Sequence, residues 1–107
     1  MQRKKRVMID FDGTIMMRGR ANNRKPVPGA LSALKRLSDA GYEIVVHSSR
    51  AGYSGGRALI RSWLDKHGVE CSLITNHKLN ASYYVDDKAV PFGGSWDEVI
   101  TAVTGNQ

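Results

Sequence analysis

The chain has 107 residues, of which 41% are hydrophobic and 24% are charged, and 16 basic against 10 acidic residues give a formal charge of +6. This length fits one domain, residues 1–107, with one modest hydrophobic core. No apolar run is long enough to cross a bilayer, and no apolar segment follows the basic start, so we expect a cytoplasmic protein without a membrane partner. The positive charge favours anionic partners, which include phosphorylated molecules and nucleic acid.

The first part of the chain gives a strand signal and then a helix signal. After the basic cluster Arg3–Arg6, which we expect to be solvated, an apolar run predicts a strand over about residues 6–11. A polar connection, residues 15–27, leads to a helix that Pro28 opens and Gly41 closes. The apolar stripe of this helix comprises Ala30, Leu31, Leu34 and Leu37.

A strand, a helix and a third strand follow. The β-branched residues within Tyr42–His47 predict the second strand, and the glycine-bearing loop Ala51–Gly56 leads into the second helix. This helix ends before Gly68, and its predicted apolar face comprises Ala58, Leu59, Trp63 and Leu64. Residues 71–75 predict the third strand. Because Cys71 is the only cysteine, an internal disulfide and a thiolate metal cluster are excluded.

The last part of the chain predicts a strand over Ser82–Val85 and a final helix. Either a short turn of helix near Leu79 or an irregular segment connects the third and fourth strands. Ser95 and Glu98 form a capping-box pattern for a helix that runs through Val103, and Trp96 is expected in the core. This order predicts a doubly wound α/β fold, a Rossmann-like three-layer sandwich with helices on both faces of a mainly parallel sheet.

Polar residues follow the predicted strands in a way that indicates one site. Ligands bind doubly wound sheets beyond the carboxyl ends of the strands. Asp10, Ser48, Lys78 and Asp86 all come at or just after a predicted strand end, so we expect these side chains at one edge of the sheet.

The carboxylates in these positions suit phosphoryl transfer. Asp10 and Asp12 would crowd two negative charges together, which calls for a cation, a shared proton or a phosphoryl group between them. A carboxylate can attack a phosphoryl group whose charge Mg²⁺, a lysine and a hydroxyl donor neutralise, while a second carboxylate exchanges protons. The predicted roles are nucleophile for Asp10, acid and base for Asp12, phosphate holders for Ser48 and Lys78, and magnesium ligands for Asp86 and Asp87.

These residues also resemble the motifs of the haloacid dehalogenase superfamily, in its phosphatase branch. The four motifs occur in family order across residues 7–88: Asp10-Phe11-Asp12-Gly13-Thr14, then Ser48, then Lys78, then Asp86-Asp87. The resemblance implies catalysis through an aspartyl-phosphate intermediate with Mg²⁺. It also implies that Asp10 is both nucleophile and metal ligand, and that the backbone carbonyl of Asp12 binds the metal.

The sequence leaves alternatives open for the phosphate-binding serine and lysine and for the role of Arg50. Ser49 is the alternative to Ser48, and Arg50 either binds phosphate or is a surface arginine. Leu79 follows Lys78 where the family often has proline, which leaves Lys88 as the substitute lysine.

The chain has no room for the cap domain that this family often inserts. We therefore expect an open site, which admits a large substrate or is covered by a neighbour in a homo-oligomer. Arginines near the site could then select an anionic substrate, because arginine suits bidentate phosphate contacts; they are Arg18, Arg20, Arg24 and Arg50.

Three functions are compatible with these observations. The leading hypothesis is a Mg²⁺-dependent phosphomonoesterase for a small phosphorylated metabolite, such as a phosphosugar or a nucleotide. A phosphatase acting on nucleic-acid ends or phosphoproteins is the second, because an open site and a basic surface would suit it. The third is a binding module that keeps the fold without turnover, against which the intact set of Asp10, Asp12 and Asp86 argues.

Overall fold

The computed structural model describes residues 4–21 and 23–105, so Arg3 of the basic cluster lies outside the described residues. Four strands form one sheet: β1 (Arg6–Asp10), β2 (Glu43–His47), β3 (Leu73–Thr75) and β4 (Tyr83–Val85). Their order across the sheet is β3-β2-β1-β4, and each neighbouring pair is parallel. The α/β class and the parallel sheet are therefore confirmed, with strand ends within two residues of those predicted.

The two central strands are nearly uniform in their apolar character. Residues 7–9 of β1 and 44–46 of β2 are buried, as expected for strands that are covered on both faces. The edge strands are shorter, and all three residues of β4 are exposed. β1 and β2 therefore anchor the sheet, and the loops that follow them start from rigid positions.

Helices α1 (Ala30–Asp39) and α2 (Gly56–Lys66) build the core on one face of the sheet. Residues that alternate along a strand share a face. One buried cluster joins strand residues from that face with residues from both helices, among them Val7, Ile9, Ile44, Val46, Leu34, Ile60 and Leu64. The predicted stripe on α1 is confirmed, since Leu34 is buried and Leu31 and Leu37 pack partly buried against the core.

On the opposite face of the sheet, an irregular segment contacts the strands, and no helix packs there among the described residues. Met8 and Val45 are buried on this face, and the backbone amide of Leu79 donates to Met8 Sδ at 3.4 Å. The connection from β3 to β4 is thus irregular, which decides between the two alternatives for this crossover. Helix α3 (Trp96–Thr104) buries none of its residues, so a third layer is not confirmed.

Two expectations about side-chain burial are wrong. Ala58 and Leu59 are exposed, because the face of α2 that meets the sheet runs through Ile60, Trp63 and Leu64 at helical spacing. Trp96 is 69% exposed, because α3 does not pack on the core. Trp63, by contrast, is buried as predicted and meets the Phe11 ring edge-to-face at 5.3 Å. No helix in the described part of the chain is long and apolar enough to span a membrane.

Candidate functional site

The carboxyl ends of β1, β2 and β4 bring the predicted site residues to one edge of the sheet. Asp10 ends β1 and is in register with His47, which ends β2. Asp86 and Asp87 follow β4 directly, and β4 pairs with β1. Parallel pairing therefore brings residues from distant parts of the sequence into one cluster, as the strand-end argument predicted.

Three carboxylates meet at this edge. Asp10, Asp86 and Asp87 each offer an oxygen, and these oxygens lie within 4.8 Å of one another. Burial, and next the negative charge of Asp86, raise the pKa of Asp10 above its ordinary value, while His47 acts in the opposite direction. His47 Nδ1 lies 3.7 Å from Asp10 Oδ1. The cluster therefore holds negative charges that repel one another, and a bound cation would relieve this repulsion.

The donor set suits a hard divalent cation. All three side chains present carboxylate oxygens, the ligands that Mg²⁺ takes in proteins. Both oxygens of Asp87 already accept hydrogen bonds from Arg18, whose Nε and Nη2 donate at 3.0 Å, and this lowers the pKa of Asp87. Asp86 accepts one backbone hydrogen bond, from Lys88 at 2.7 Å, through Oδ1. Asp10 and Asp86 are therefore better placed than Asp87 to bind a metal directly.

Asp12 lies beside this cluster, and its carboxylate is held by a different set of partners. Ser48 Oγ donates to Asp12 Oδ2 at 3.1 Å, and Arg50 Nη2 donates to Asp12 Oδ1 at 2.6 Å. Arg24 Nη2 adds an ion pair with the same Oδ1 at 3.6 Å. The predicted acid and base is therefore oriented by one hydroxyl and two guanidinium groups.

A tight turn after β2 positions Ser48 and Arg50. Ser48 is only 1% exposed, and its Oγ accepts a hydrogen bond from the backbone amide of Arg50 at 3.1 Å. This caps a 3-10 helix, Ser49–Gly52, which overlaps the start of the predicted loop Ala51–Gly56. Gly56 is buried beneath the turn, and a Cβ there would overlap the carbonyl oxygen of Arg50. The start of α2 therefore needs glycine at position 56, because only glycine lets the carbonyl oxygen of Arg50 lie this close to the helix.

The structure locates the side chains of the candidate phosphate-binding serines and of Lys78. Ser48 is buried against Asp12, whereas its alternative Ser49 is exposed. Lys78 Nζ lies 4.6 Å from the centroid of the Tyr84 ring. Lys78 also borders a cavity of about 130 Å³ that Asp10, His47 and Asp86 line. The lysine predicted from the sequence therefore lies at the acidic cluster. A larger groove of about 510 Å³ lies between α1 and the end of α2, and none of the predicted site residues lines it.

The loop after β1 depends on Gly13. Its φ is +85°, and a Cβ at this position would overlap Asp87 Oδ2 and come within 2.6 Å of Arg18 Nε. The glycine of the first motif therefore allows the Arg18–Asp87 pair to sit against the backbone of the loop that carries Asp12.

Three basic residues have contacts at the site that the sequence does not predict. Arg18 and Arg24 are predicted to select an anionic substrate, but in the structure they bind the carboxylates of Asp87 and Asp12, respectively. His47 is not among the site residues predicted from the sequence, yet it lies beside Asp10 and lines the cavity that Asp10 and Asp86 border. The available signal for His47 was its position at the end of a predicted strand, because residues that end neighbouring parallel strands lie side by side, as Asp10 and His47 do. Arg18 and Arg24 occupy an irregular loop, which offers no such signal.

Comparison with known proteins gives matches at the level of structure. Neither a protein-family model nor a curated protein matches this chain. The chain is similar to a solved structure described as the conserved protein coded by locus from Bacteroides thetaiotaomicron, with 21% identity, a TM-score of 0.64, and coverage of 98% of this chain and 93% of that one. It is also similar to a chain of the Pnkp1/Rnl/Hen1 complex, with 17% identity and a TM-score of 0.58. That match covers 91% of this chain and 34% of the other, so this chain spans about a third of that protein. At these identities, the similarity shows a shared fold.

Proposed function

We propose that the protein is a Mg²⁺-dependent phosphomonoesterase of the haloacid dehalogenase type that acts on a small phosphorylated metabolite. One observation carries the proposal: the carboxylate oxygens of Asp10, Asp86 and Asp87 lie within 4.8 Å of one another at the carboxyl edge of the sheet. Asp12 lies two residues after Asp10, and Lys78 borders the same cavity. These groups are the nucleophile, the acid and base, and the cationic group that phosphoryl transfer requires.

Asp10 is the proposed nucleophile. One of its oxygens attacks phosphorus, a P–O bond forms to the carboxylate, and the P–O bond to the leaving alcohol breaks. Asp12 gives a proton to the departing oxygen. Water then attacks phosphorus and gives a proton to Asp12, and inorganic phosphate leaves as Asp10 is restored.

Asp10 and Asp86 are the proposed direct ligands of Mg²⁺, together with the backbone carbonyl of Asp12. When bound, the ion supplies positive charge that neutralises the carboxylates and the phosphoryl oxygens. Asp87 would act through Arg18, because both of its oxygens are engaged there.

Ser48, Arg50 and Lys78 are proposed to hold the phosphate, with Ser49 as the alternative to Ser48. Ser48 and Arg50 already contact Asp12, so their first effect is to orient the acid and base. Lys78 lines the cavity beside Asp10, where its ammonium group would pair with a phosphoryl oxygen. The contact of Lys78 with the face of Tyr84 limits the positions that this long side chain can adopt.

A direct test compares hydrolysis of an aryl phosphate by the wild type, Asp10→Asn and Asp39→Asn, each with Mg²⁺ and with excess EDTA. Asp39 pairs with Lys35 on the surface of α1 and is the matched control. We expect the wild type and Asp39→Asn to hydrolyse the aryl phosphate only when Mg²⁺ is present. Asp10→Asn should not hydrolyse it under either condition. Mass spectrometry of quenched reactions should find a phosphoryl group on Asp10. Equal silence of the wild type and Asp10→Asn across a panel of phosphorylated metabolites would favour the non-catalytic module.

The nucleic-acid alternative draws support from the charge of +6. A sugar phosphate and an oligonucleotide with a terminal phosphate should be compared over a range of salt concentrations. Turnover of an oligonucleotide should fall steeply with salt, because phosphate contacts along the strand release counterions. Good turnover of the sugar phosphate without such a salt effect supports the leading proposal.

A further inference from the structure

A groove of about 630 Å³ lies between α2 and the edge strand β3, and no residue proposed for catalysis lines it. Arg57 and Arg61 line this groove from α2, and Tyr53 lines it from the loop that precedes the helix. None of the described residues that line the groove is acidic. The arginine groove is therefore a concave, positively charged surface that the proposed phosphoryl chemistry does not use.

The charges of the two arginines are not neutralised by a carboxylate. In residues 4–21 and 23–105, neither Arg57 nor Arg61 forms a salt bridge. Arg61 lies beside Cys71, whose thiol stays neutral at pH 7 because burial raises its pKa. An anion in the groove would therefore meet two guanidinium groups that have no competing acidic partner.

Tyr53 gives the arginine groove a flat aromatic face next to these charges. Its side chain is 70% exposed, the largest exposed fraction of any large hydrophobic residue in the described part of the chain. No ring contact engages Tyr53 among the described residues. Proteins bind single-stranded nucleic acid with this combination, because bases stack on exposed aromatic rings while basic side chains contact the backbone.

A second basic groove, of about 820 Å³, extends this surface along the amino ends of the strands. Ser72 lines both grooves, so they share a wall. Lys4, Lys5 and Arg6 line the second groove. Glu43, the one acidic residue among its described lining residues, accepts hydrogen bonds from Arg6 Nε at 3.0 Å and from Ser72 Oγ at 2.8 Å. Because Arg6 offsets Glu43, the charges of Lys4 and Lys5 remain for an anionic partner.

We propose that the two grooves together bind single-stranded nucleic acid, which would run from Tyr53 towards Lys4. The arginine groove contributes most of the attraction, because Glu70 lines a pocket beside Lys4 and lowers the positive charge at the other end. A single strand fits such a path better than a duplex, because its bases are free to stack on Tyr53. The proposal goes beyond the proposed hydrolysis, since binding here does not require that the strand is the substrate.

The test measures binding of a fluorescent oligothymidylate of about 12 nucleotides, without a terminal phosphate, to the full 107-residue chain in EDTA. Four basic side chains should give a slope of about −3 for the logarithm of the binding constant against the logarithm of salt concentration. Arg57→Ala should weaken binding and make this slope shallower by about 0.7. Arg36→Ala is the matched control, because it removes an exposed arginine of α1 that lines neither groove.

A second pair of variants separates base stacking from charge. Tyr53→Ala should weaken binding of the oligonucleotide by about tenfold, a loss typical of one stacked base, and should leave binding of poly-glutamate unchanged. Phe92→Ala is the control for this change, since Phe92 is 58% exposed and lines neither groove.

Three results would overturn the proposal directly: no binding at low salt, equal losses in Arg57→Ala and Arg36→Ala, or full affinity in Tyr53→Ala. Poly-glutamate bound as tightly as the oligonucleotide would also overturn it, and would indicate a surface for acidic proteins instead. The probe has no terminal phosphate and Mg²⁺ is absent, so a failure of the proposed phosphatase activity leaves these outcomes unchanged.

Discussion

Arg50 Nη2 donates a hydrogen bond to Asp12 Oδ1 at 2.6 Å, which joins the turn after β2 to the loop after β1. This contact orients the proposed acid and base. Arg50→Ala should therefore lower kcat by about 100-fold, the loss typical when a reacting group is displaced by about 1 Å. Arg50→Lys should recover only part of the rate, because lysine lacks the planar guanidinium group.

Steady-state kinetics with an aryl phosphate and Mg²⁺ test this expectation. Arg36→Ala is the control, because Arg36 is exposed on α1 and is not among the predicted site residues. Wild-type kcat in Arg50→Ala would show that Arg50 does not orient Asp12.

Ser48 and Ser49 offer a matched pair for stability. Ser48→Ala removes the bond to Asp12 and the cap of the 3-10 turn, and should cost about 1–3 kcal/mol of unfolding free energy. Ser49→Ala, at an exposed position, should change it by less than about 0.5 kcal/mol. Urea unfolding of both variants measures the difference. Equal losses would show that the buried hydroxyl carries no special role.

Gly13 and Gly29 share a φ of +85°, but only Gly13 is crowded. Alanine at either position should incur the strain of a left-handed residue, about 1–2 kcal/mol. Gly13→Ala should lose more stability than Gly29→Ala, because its Cβ would displace the Arg18–Asp87 pair, whereas nothing lies within 4 Å of a Cβ at Gly29. Thermal or urea unfolding of the two variants measures this difference. Equal losses of unfolding free energy would mean that the Arg18–Asp87 pair moves aside without cost.

The raised pKa of Asp10 predicts a pH dependence of stability without metal. A carboxyl group whose pKa is higher in the folded protein favours folding when protonated, and this contribution is lost as pH rises from the ordinary 3.8 through the raised pKa. In excess EDTA, Asp10→Asn should therefore gain stability relative to the wild type across that pH window. At pH values above this window, the difference in unfolding free energy between Asp10→Asn and the wild type should be constant.

Urea unfolding over a pH series measures this difference, with Asp39→Asn as the surface control. If the advantage of Asp10→Asn shrank as pH rose, the sign of the Asp10 pKa shift would be wrong.

Asp86 and Asp87 should differ in their effect on metal dependence. Asp86→Asn removes a proposed direct ligand and should raise the Mg²⁺ concentration for half-maximal rate by more than Asp87→Asn does. Substitution of groups that act through another residue typically costs about 10- to 100-fold in metal affinity, and we expect Asp87→Asn to fall at the low end of this range. Mg²⁺ titrations of the rate measure both, and a larger effect at Asp87 would reverse the assignment.

Much of the site's location follows from local sequence patterns. The apolar runs that end at Asp10 and His47 mark buried parallel strands, and the shorter run that ends at Val85 marks the exposed edge strand. Since parallel strands end at one edge of a sheet, the sequence by itself predicts that Asp10, Ser48 and Asp86 lie near one another. The amphipathic pattern of α1 and the cap at Ser95 are equally local features, and the structure confirms both.

The tertiary structure decided the partners of each side chain. The pairing of Arg18 with Asp87 spans 69 positions, and that of Arg50 with Asp12 spans 38, so neither has a local signal. The exposure of Trp96 is likewise a matter of packing, because an amphipathic helix shows which face is apolar but not what covers it. Composition and periodicity thus determine elements and their order, whereas contacts between loops depend on how the whole sheet places them.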